Sequence, residues 1–269
     1  MTDATVPADG TRLLVFGPPG AGAALVAAGI GRRGMTAVSW EGGQEESRPA
    51  VEAADLTPGE GPVLMALDAS DLACLTRSMA PWAARQLPQD LNLATRELEE
   101  SRERLFPARL RANAVLDTTH LNAQELLARA AQLAPYLGEL GRPQPAVVIE
   151  SFAYPRGVPL DLSSCLDTRA IRNPYWEPSL RMLSGLDPRV QEFVLEQRVA
   201  EMLLSTAMDL VDAQLPELQS RSRQRLLRLA FGCSGGFHRS VALSEEFGRR
   251  LQALGVCVLI WHRDLPQRA

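Results

Sequence analysis

The chain has 269 residues, 46% of them hydrophobic and 22% charged, and its formal net charge is −4. This length suits two domains of roughly 120–150 residues each, and the acidic balance gives no general attraction to nucleic acid. All 28 basic residues are arginine, which excludes a Schiff-base lysine, a lysine general base and a P-loop lysine.

The cysteines and the apolar residues exclude further classes of protein. The four cysteines are far apart, and no Cys/His pair has zinc-ligand spacing, so we expect neither a disulfide framework nor a structural metal. No apolar run reaches the length of a membrane span, and the opening MTDATVPADG lacks the basic and apolar regions of a signal peptide. We therefore expect a cytoplasmic protein.

The first half of the chain alternates apolar strands with helices, as expected of a parallel sheet covered on both faces. Residues 41–62 are rich in Gly, Glu and Pro and indicate a loose connection. The predicted elements are strand 11–16, a glycine turn at 17–22, a helix over ALVAAGI, strand 63–68, a charged helix 91–111 broken at Pro107, strand 114–117, and an amphipathic helix 122–137 with Asn122 as its N-cap.

The Gly/Pro-rich segment at 138–145 has the character of a domain linker. We therefore predict two α/β domains, at 1–141 and 145–269. The predicted elements of the second are strands 146–152 and 165–169, a loop at 178–188, a long helix 189–225 bent at Pro216, strand 226–232, a helix 240–255 closed by Gly255, and strand 256–262.

The glycine turn after the first strand has the spacing of a P-loop, Gly17-x4-Gly22. The backbone N–H groups of such a turn and the helix dipole hold phosphates. The positions of the P-loop lysine and hydroxyl are alanines here, so we interpret the loop as degenerate, with nucleotide binding through backbone contacts as the alternative. The candidate residues, including an aspartate at the Walker B position, are Gly17, Pro18, Pro19, Gly20, Ala21, Gly22, Ala23, Ala24 and Asp68.

A second strand-to-helix turn, CSGGFHRS at 233–240, predicts a phosphate site with a cationic side chain. Two glycines let successive N–H groups turn inward, an arginine adds a permanently charged fork, two serines add hydroxyls, and a histidine is placed to titrate with a phosphate dianion. The alternative is a simple Gly-Gly turn beside a surface arginine. The residues are Ser234, Gly235, Gly236, His238, Arg239 and Ser240.

The same turn also fits the spacing of cysteine-dependent phosphatases, C-x2-G-x2-R-[ST], with Cys233 as nucleophile. In those enzymes a thiolate at a helix N-terminus attacks phosphorus while the arginine holds the phosphate oxygens. Gly232 stands where they usually carry His, and no general-acid aspartate is identifiable. A buried inert cysteine is the alternative.

Several segments in order resemble the RapZ (YvcJ) family of nucleotide-binding RNase adapter proteins. Besides the P-loop they are VLMALDAS, AVLDTTHLNAQEL, IESFAYPRGVPLD, LDTRAIRNPYWEPSLRMLSGLD, FGCSGGFHRSVALSEE and a closing HRDL. The resemblance runs through nearly all of residues 12–265. It implies a kinase-like P-loop domain that binds ATP or GTP, followed by a domain with a phosphosugar pocket for glucosamine-6-phosphate. The resemblance also implies a homo-oligomer, and RNA binding is a property of some members of the family.

The resemblance carries the phosphosugar pocket onto the residues of the 233–240 turn, with Tyr175 approaching from the NPYW segment. Tyr175 replaces the His that the family usually has there. The arginine-rich lid after the Walker B strand is reduced to Arg77 and Arg85, and the basic C-terminal tail to DLPQRA. Four arginines could still contact RNA phosphates, although a solvated helix face is the alternative. They are Arg221, Arg223, Arg225 and Arg228.

We therefore predict a RapZ-like regulatory protein that senses a phosphorylated metabolite of the amino-sugar phosphate class through its second domain. ATP or GTP binding by the first domain is expected to be weakened or lost, with weak or absent hydrolysis. No cofactor is expected to be required, and ATP or GTP with Mg2+ is the alternative. Two competing hypotheses for the function are a phosphatase that uses Cys233 and an RNA-binding RNase adapter with a protein partner.

Overall fold

A computed structural model describes residues 13–31, 37–40, 63–80, 87–110, 112, 114–138, 146–160, 162–220 and 227–265. The chain divides into two compact units, Met1–Pro143 and Gln144–Ala269. Each contains a fully parallel four-stranded sheet with helices between the strands. The predicted α/β class is therefore confirmed. The predicted connection at 41–62 lies outside the described residues, as does the predicted linker 138–145 except for Gly138, which ends a helix.

The sheet of the first unit has the strand order β2-β1-β3-β4. Parallel pairing sets Asp68 beside Asp117 at the ends of β3 and β4, on the edge where the glycine turn follows β1. The short strand β2, AVSW, is absent from the sequence-based prediction because four residues with a central serine give too little apolar pattern. The strands are β1 (Leu13–Phe16), β2 (Ala37–Trp40), β3 (Val63–Asp68) and β4 (Ala114–Asp117).

One prediction about the helices of this unit is wrong, because the third helix is not broken at Pro107. Pro107 and Glu103 are both exposed, so the carbonyl that loses its helical N–H partner can be hydrated. Leu105 and Ala108 anchor the helix in the core on either side of the proline. The helices are α1 (Ala23–Gly31), α2 (Asp71–Ser78), α3 (Leu91–Leu110) and α4 (Ala123–Gly138).

The predicted N-cap of α4 is confirmed. The Glu125 N–H donates to Asn122 Oδ1 at 2.9 Å, and the Asn122 N–H donates to Glu125 Oε2 at 2.9 Å. This reciprocal capping box satisfies two N–H groups that the helix itself leaves without partners.

The sheet of the second unit has the order β6-β7-β5-β8, which places β7 and β5 at its centre. Phe231 of β7 packs edge to face on Phe247, with ring centroids 5.6 Å apart, and both belong to the core between sheet and helices. The strands are β5 (Ala146–Ala153), β6 (Ser164–Asp167), β7 (Leu227–Cys233) and β8 (Cys257–His262), and the helices are α5 (Pro188–Leu195), α6 (Arg198–Ser220) and α7 (Arg239–Ala253).

The predicted single helix 189–225 is in fact two helices. The chain breaks between α5 and α6, and α6 continues through Pro216. Gln197 explains the break: its Nε2 donates to the Phe193 carbonyl at 2.8 Å, and its Oε1 accepts from the Arg172 N–H at 2.8 Å. No helix within the described ranges is long and apolar enough to cross a membrane.

Candidate functional site

The P-loop-like turn of the first unit has the backbone shape that its glycines predict. Gly20 and Gly22 have φ angles of +82° and +98°, a region that L-residues rarely adopt. A Cβ on Gly20 would lie 2.3 Å from the Cys74 carbonyl oxygen. The Val26 N–H donates to the Gly22 carbonyl at 3.1 Å as α1 begins. The turn therefore stands at a helix N-terminus, although Ala23 and Ala24 supply neither a cation nor a hydroxyl.

Asp68, the residue at the Walker B position, is buried and already paired with cations. Arg109 Nη1 forms an ion pair with Asp68 Oδ2, and Arg102 Nη2 lies 3.5 Å from Asp68 Oδ1. The Ala69 N–H also donates to Asp68 Oδ1 at 2.8 Å. Two guanidinium groups thus provide the positive charge that a metal ion would otherwise bring to this carboxylate.

The same two arginines line a cavity of about 360 Å³ that also reaches Gly17 and Pro18 of the turn. Sequence reasoning treated α3 only as a charged helix and did not single them out. The sequence does contain a pattern that groups these two arginines, because Arg102 and Arg109 are seven residues apart and therefore lie on one face of the helix. The sequence could not indicate that this face would meet Asp68.

Arg77, interpreted from the resemblance as a remnant of a basic lid, is bonded to the backbone. Its Nη2 donates to the carbonyls of Thr118 and Leu121 at 2.8 and 3.1 Å, and its Nη1 lies 3.4 Å from the Gly20 carbonyl. The guanidinium therefore ties α2 to the glycine turn and to the segment after β4. These contacts give Arg77 a structural role, the lid interpretation stays a prediction, and Arg85 lies outside the described residues.

In the second unit, the 233–240 turn joins the end of β7 to the start of α7. Gly236 has φ +65°, and a Cβ there would lie 2.8 Å from the Cβ of Asp264. Asp264 is held in place because its Oδ2 accepts the Ala153 N–H at 2.6 Å. Gly235, by contrast, has open space around the position of a Cβ. Only the second glycine of the pair is required by packing.

Cys233 lies at the base of this turn, and only 2% of the residue is exposed. Its Sγ accepts the Gly236 N–H at 3.1 Å and lies 3.1 Å from Ser240 Oγ. Burial raises the pKa of the thiol, but hydrogen bonds from the Ser240 hydroxyl and from the turn's N–H groups outweigh it, so the pKa is lowered below its usual value. The surroundings therefore stabilise a thiolate.

Arg239 is also buried, with 5% exposed. Its Nη1 donates to the carbonyls of Arg169 and Ile171, each at 3.0 Å, and its Nη2 donates to Ser234 Oγ at 3.2 Å. Among the described residues, its Nε has no hydrogen-bond partner. Burial lowers the pKa of this guanidinium, but an arginine remains cationic at neutral pH. A fixed cation with an unsatisfied donor therefore borders the turn.

His238 is less suited to titrate with a phosphate dianion than its position in the sequence suggested. Burial lowers the pKa of the imidazole below its usual value. Its Nε2 lies 3.2 Å from the Arg181 carbonyl, and the ring packs edge to face on Phe237. A neutral imidazole can donate to that carbonyl, so His238 holds the turn against the 181–183 segment.

A cavity of about 320 Å³ lies in front of Cys233 and Arg239. It brings together several predicted residues, while Gly236 and Ser240 lie behind the turn and bond to Cys233. Sequence reasoning missed the contribution of Arg181, whose guanidinium carbon lies 4.7 Å from the centroid of the Tyr175 ring. The lining residues are Asn173, Tyr175, Arg181, Cys233, Ser234, Gly235, Phe237, His238 and Arg239.

Arg228, one of the four arginines considered for RNA phosphates, is not on a solvated helix face. It lies in β7, is 4% exposed, and its Nη2 is 3.2 Å from Glu150 Oε2. The prediction of a surface role is therefore wrong for Arg228, because the strand begins at Leu227 and turns this side chain into the unit. Arg221, Arg223 and Arg225 lie outside the described residues.

Each unit thus places a glycine-containing turn between a parallel strand and a helix N-terminus, which is the architecture of nucleotide-binding α/β proteins. Residues 145–266 match the family described as the RapZ C-terminal domain. A nucleotide-binding protein of Corynebacterium jeikeium is 36% identical over 211 residues, which cover 78% of this chain and 71% of that protein.

Two further relatives also bear the name nucleotide-binding protein. The one from Frankia casuarinae is 38% identical over 221 residues, covering 81% of this chain and 73% of its own length. The one from Geobacter metallireducens is 39% identical over 166 residues, covering 62% and 57%. The chain belongs to the RapZ family of nucleotide-binding proteins, as the resemblance predicted.

Proposed function

We propose that the second unit binds a phosphorylated metabolite of the amino-sugar phosphate class, in the cavity between the 233–240 turn and the Pro174–Trp176 segment, and that the protein acts through this binding as a regulator. The observation that carries the proposal is the buried Arg239, whose Nε has no partner among the described residues. A buried cationic donor without a partner favours an anionic ligand.

The guanidinium of Arg239 supports binding of an oxyanion such as a phosphate. Two backbone carbonyls hold Nη1. On the other edge of the guanidinium, Nη2 bonds Ser234 Oγ and Nε is buried without a partner among the described residues. Two parallel N–H donors on one edge match two oxygens of a phosphate, and the start of α7 adds its dipole. Ser234 Oγ, now 3.2 Å from Nη2, can turn to the same ligand.

The other side of the cavity supports a sugar ring. Asn173 and Tyr175 bring an amide and a phenol, and Arg181 stacks on the phenol ring. The Asn173 side chain caps this segment by accepting the Tyr175 N–H at 3.3 Å, which fixes the backbone that carries the ring. The cavity lining is mostly apolar, and these few polar groups could orient the hydroxyl groups of a sugar.

Calorimetry of the full chain with glucosamine-6-phosphate tests this proposal. Arg239→Ala should weaken binding by about 100-fold, or about 3 kcal/mol, since two charge-assisted hydrogen bonds are lost. Arg249→Ala is the matched control, because Arg249 lies on the same helix but is exposed and paired with Glu246. Glucosamine without the phosphate should not bind. Equal affinity for wild type and Arg239→Ala would contradict the proposal.

The relatives are named nucleotide-binding proteins, and we further propose that ATP or GTP binding by the first unit of this chain is weakened or lost. The alanines at 23 and 24 remove the two side chains that a P-loop directs at phosphate and magnesium. The pairing of Asp68 with Arg102 and Arg109 removes the remaining ligand that a magnesium ion would use.

A further inference from the structure

We propose that the phosphate site of the second unit is also a catalytic centre for phosphoryl transfer, in which Cys233 Sγ attacks the phosphorus of a bound phosphate monoester or acyl phosphate. This inference rests on the proposed function, because it requires that a phosphate bind beside Arg239. It goes further in assigning a nucleophile and a class of substrate.

The first observation is the position of the sulfur. Cys233 lines the cavity, and its Sγ accepts the Gly236 N–H at 3.1 Å, with Ser240 Oγ also at 3.1 Å. Hydrogen-bond donors at the sulfur favour the thiolate, which is the nucleophilic form of a cysteine. Ser240 is fully buried, so its hydroxyl is held at the sulfur.

The second, independent observation is Arg239. This side chain is more than nine-tenths buried, lines the same cavity as the sulfur, and its Nε lacks a partner among the described residues. A phosphate bound to this guanidinium in the cavity would share that cavity with Cys233. The guanidinium then stabilises the charge on the transferred group as the reaction proceeds.

The reaction balances with water as the only co-reactant. The thiolate forms an S–P bond, the bond from phosphorus to the leaving oxygen breaks, and its electron pair remains on that oxygen. Water then attacks the phosphocysteine, the S–P bond breaks with its electrons returning to sulfur, and the proton of the water is released to solvent. The products are the leaving group and inorganic phosphate.

The lining of the cavity determines the class of substrate. The cavity lining within the described part of the chain contains no carboxylic acid, and the His238 Nε2 is bonded to the Arg181 carbonyl. An alkoxide leaving group needs a proton from a general acid, whereas a phenolate or carboxylate leaves as a stable anion. We therefore expect aryl and acyl phosphates to react and sugar 6-phosphates to bind without turnover.

The test uses p-nitrophenyl phosphate with the full chain. Wild type should release p-nitrophenolate and inorganic phosphate, and Cys233→Ser should lower the rate at least ~100-fold. Cys165→Ser is the matched control, because Cys165 is exposed on β6, and it should leave the rate unchanged. Acid quenching followed by mass spectrometry should find one phosphoryl group on the peptide that contains Cys233.

Calorimetry with inorganic phosphate separates the two proposals. Phosphate binding that depends on Arg239, without turnover or a phosphocysteine adduct, would overturn the assignment of Cys233 as nucleophile and leave the proposed function intact. Absence of phosphate binding would overturn both proposals. Equal rates for wild type and Cys233→Ser would also overturn the nucleophile. If Cys233→Ser does not fold, Ser240→Ala tests the nucleophile instead. Loss of the Ser240 hydroxyl should slow both turnover and alkylation of Cys233 by iodoacetamide at neutral pH.

Discussion

Among single residues, Glu150 and Arg228 form a buried ion pair in the second unit. They lie side by side on the central strands β5 and β7, and they are 2% and 4% exposed. Arg228 Nη1 also donates to the Leu160 carbonyl at 3.0 Å. A buried pair adds little by itself, but removal of one partner leaves the other charge in a low-dielectric interior.

We therefore expect Glu150→Gln to destabilise the second unit by about 3 kcal/mol, because the buried guanidinium loses its counter-charge. Urea titration with hydrogen–deuterium exchange on peptides from β5 and β7 measures the change. Glu196→Gln is the control, since Glu196 pairs with Arg172 on the surface and exposed pairs contribute little. Similar effects of the two substitutions would contradict the prediction.

The sequence identified the residues of the 233–240 turn, but it did not show which of them line the cavity and which bond to Cys233. Residue types and spacing predicted a phosphate site, and these are local properties of the chain. Which side of the turn each residue faces depends on contacts with distant segments, such as Asp264 against Gly236 and the Arg181 carbonyl against His238. For that reason the role of Ser240 as a partner of Cys233 could not be deduced beforehand.

At the scale of elements, strand-to-helix turns position both sites, and the second turn offers a matched pair of glycines. Gly236→Ala should weaken phosphate binding and destabilise the unit by about 2 kcal/mol, because an L-residue is strained at φ +65° and its Cβ would collide with Asp264. Gly235→Ala, which meets open space, should leave the stability of the unit unchanged. Thermal melts and calorimetry measure both effects, and equal behaviour of the two variants would refute the assignment.

Elements with strong local signals were predicted well, and elements set by tertiary contacts were not. The buried strands at 63–68 and 114–117 are continuous apolar runs between turn signals, which a sequence displays directly. The break between α5 and α6 follows from the hydrogen bonds of Gln197 to Phe193 and Arg172. The partner on the 169–173 segment is distant in sequence, so the periodicity there predicted one continuous helix.

At the scale of the whole molecule, the two units differ in which residues bring positive charge to the glycine turn. In the second unit the cation belongs to the turn itself, at Arg239. In the first unit the turn carries none, and Arg102 and Arg109 approach Asp68 from α3. The described residues thus contain two glycine turns between a strand and a helix, and the second carries its own cationic side chain.

This difference predicts how nucleotides behave with the full chain. Any increase in melting temperature with ATP or GTP should be small, and it should be the same in Mg2+ and in EDTA, because Asp68 is neutralised by arginines. Differential scanning fluorimetry measures both. Arg239→Ala, which alters only the second unit, serves as the control. A large shift that requires Mg2+ would contradict the proposed loss of the metal site.

The short bond between the Ala153 amide and Asp264 has a practical consequence for spectroscopy. Asp264 also packs against Gly236, and a Cβ on Gly236 would lie 3.2 Å from the Cβ of Ala153. The Ala153 amide is therefore part of the scaffold behind the phosphate turn, yet it lies outside the cavity. Its 15N–1H chemical shift and exchange rate can therefore report ligand binding. The measurement needs no label on the ligand and no change to a residue that lines the cavity.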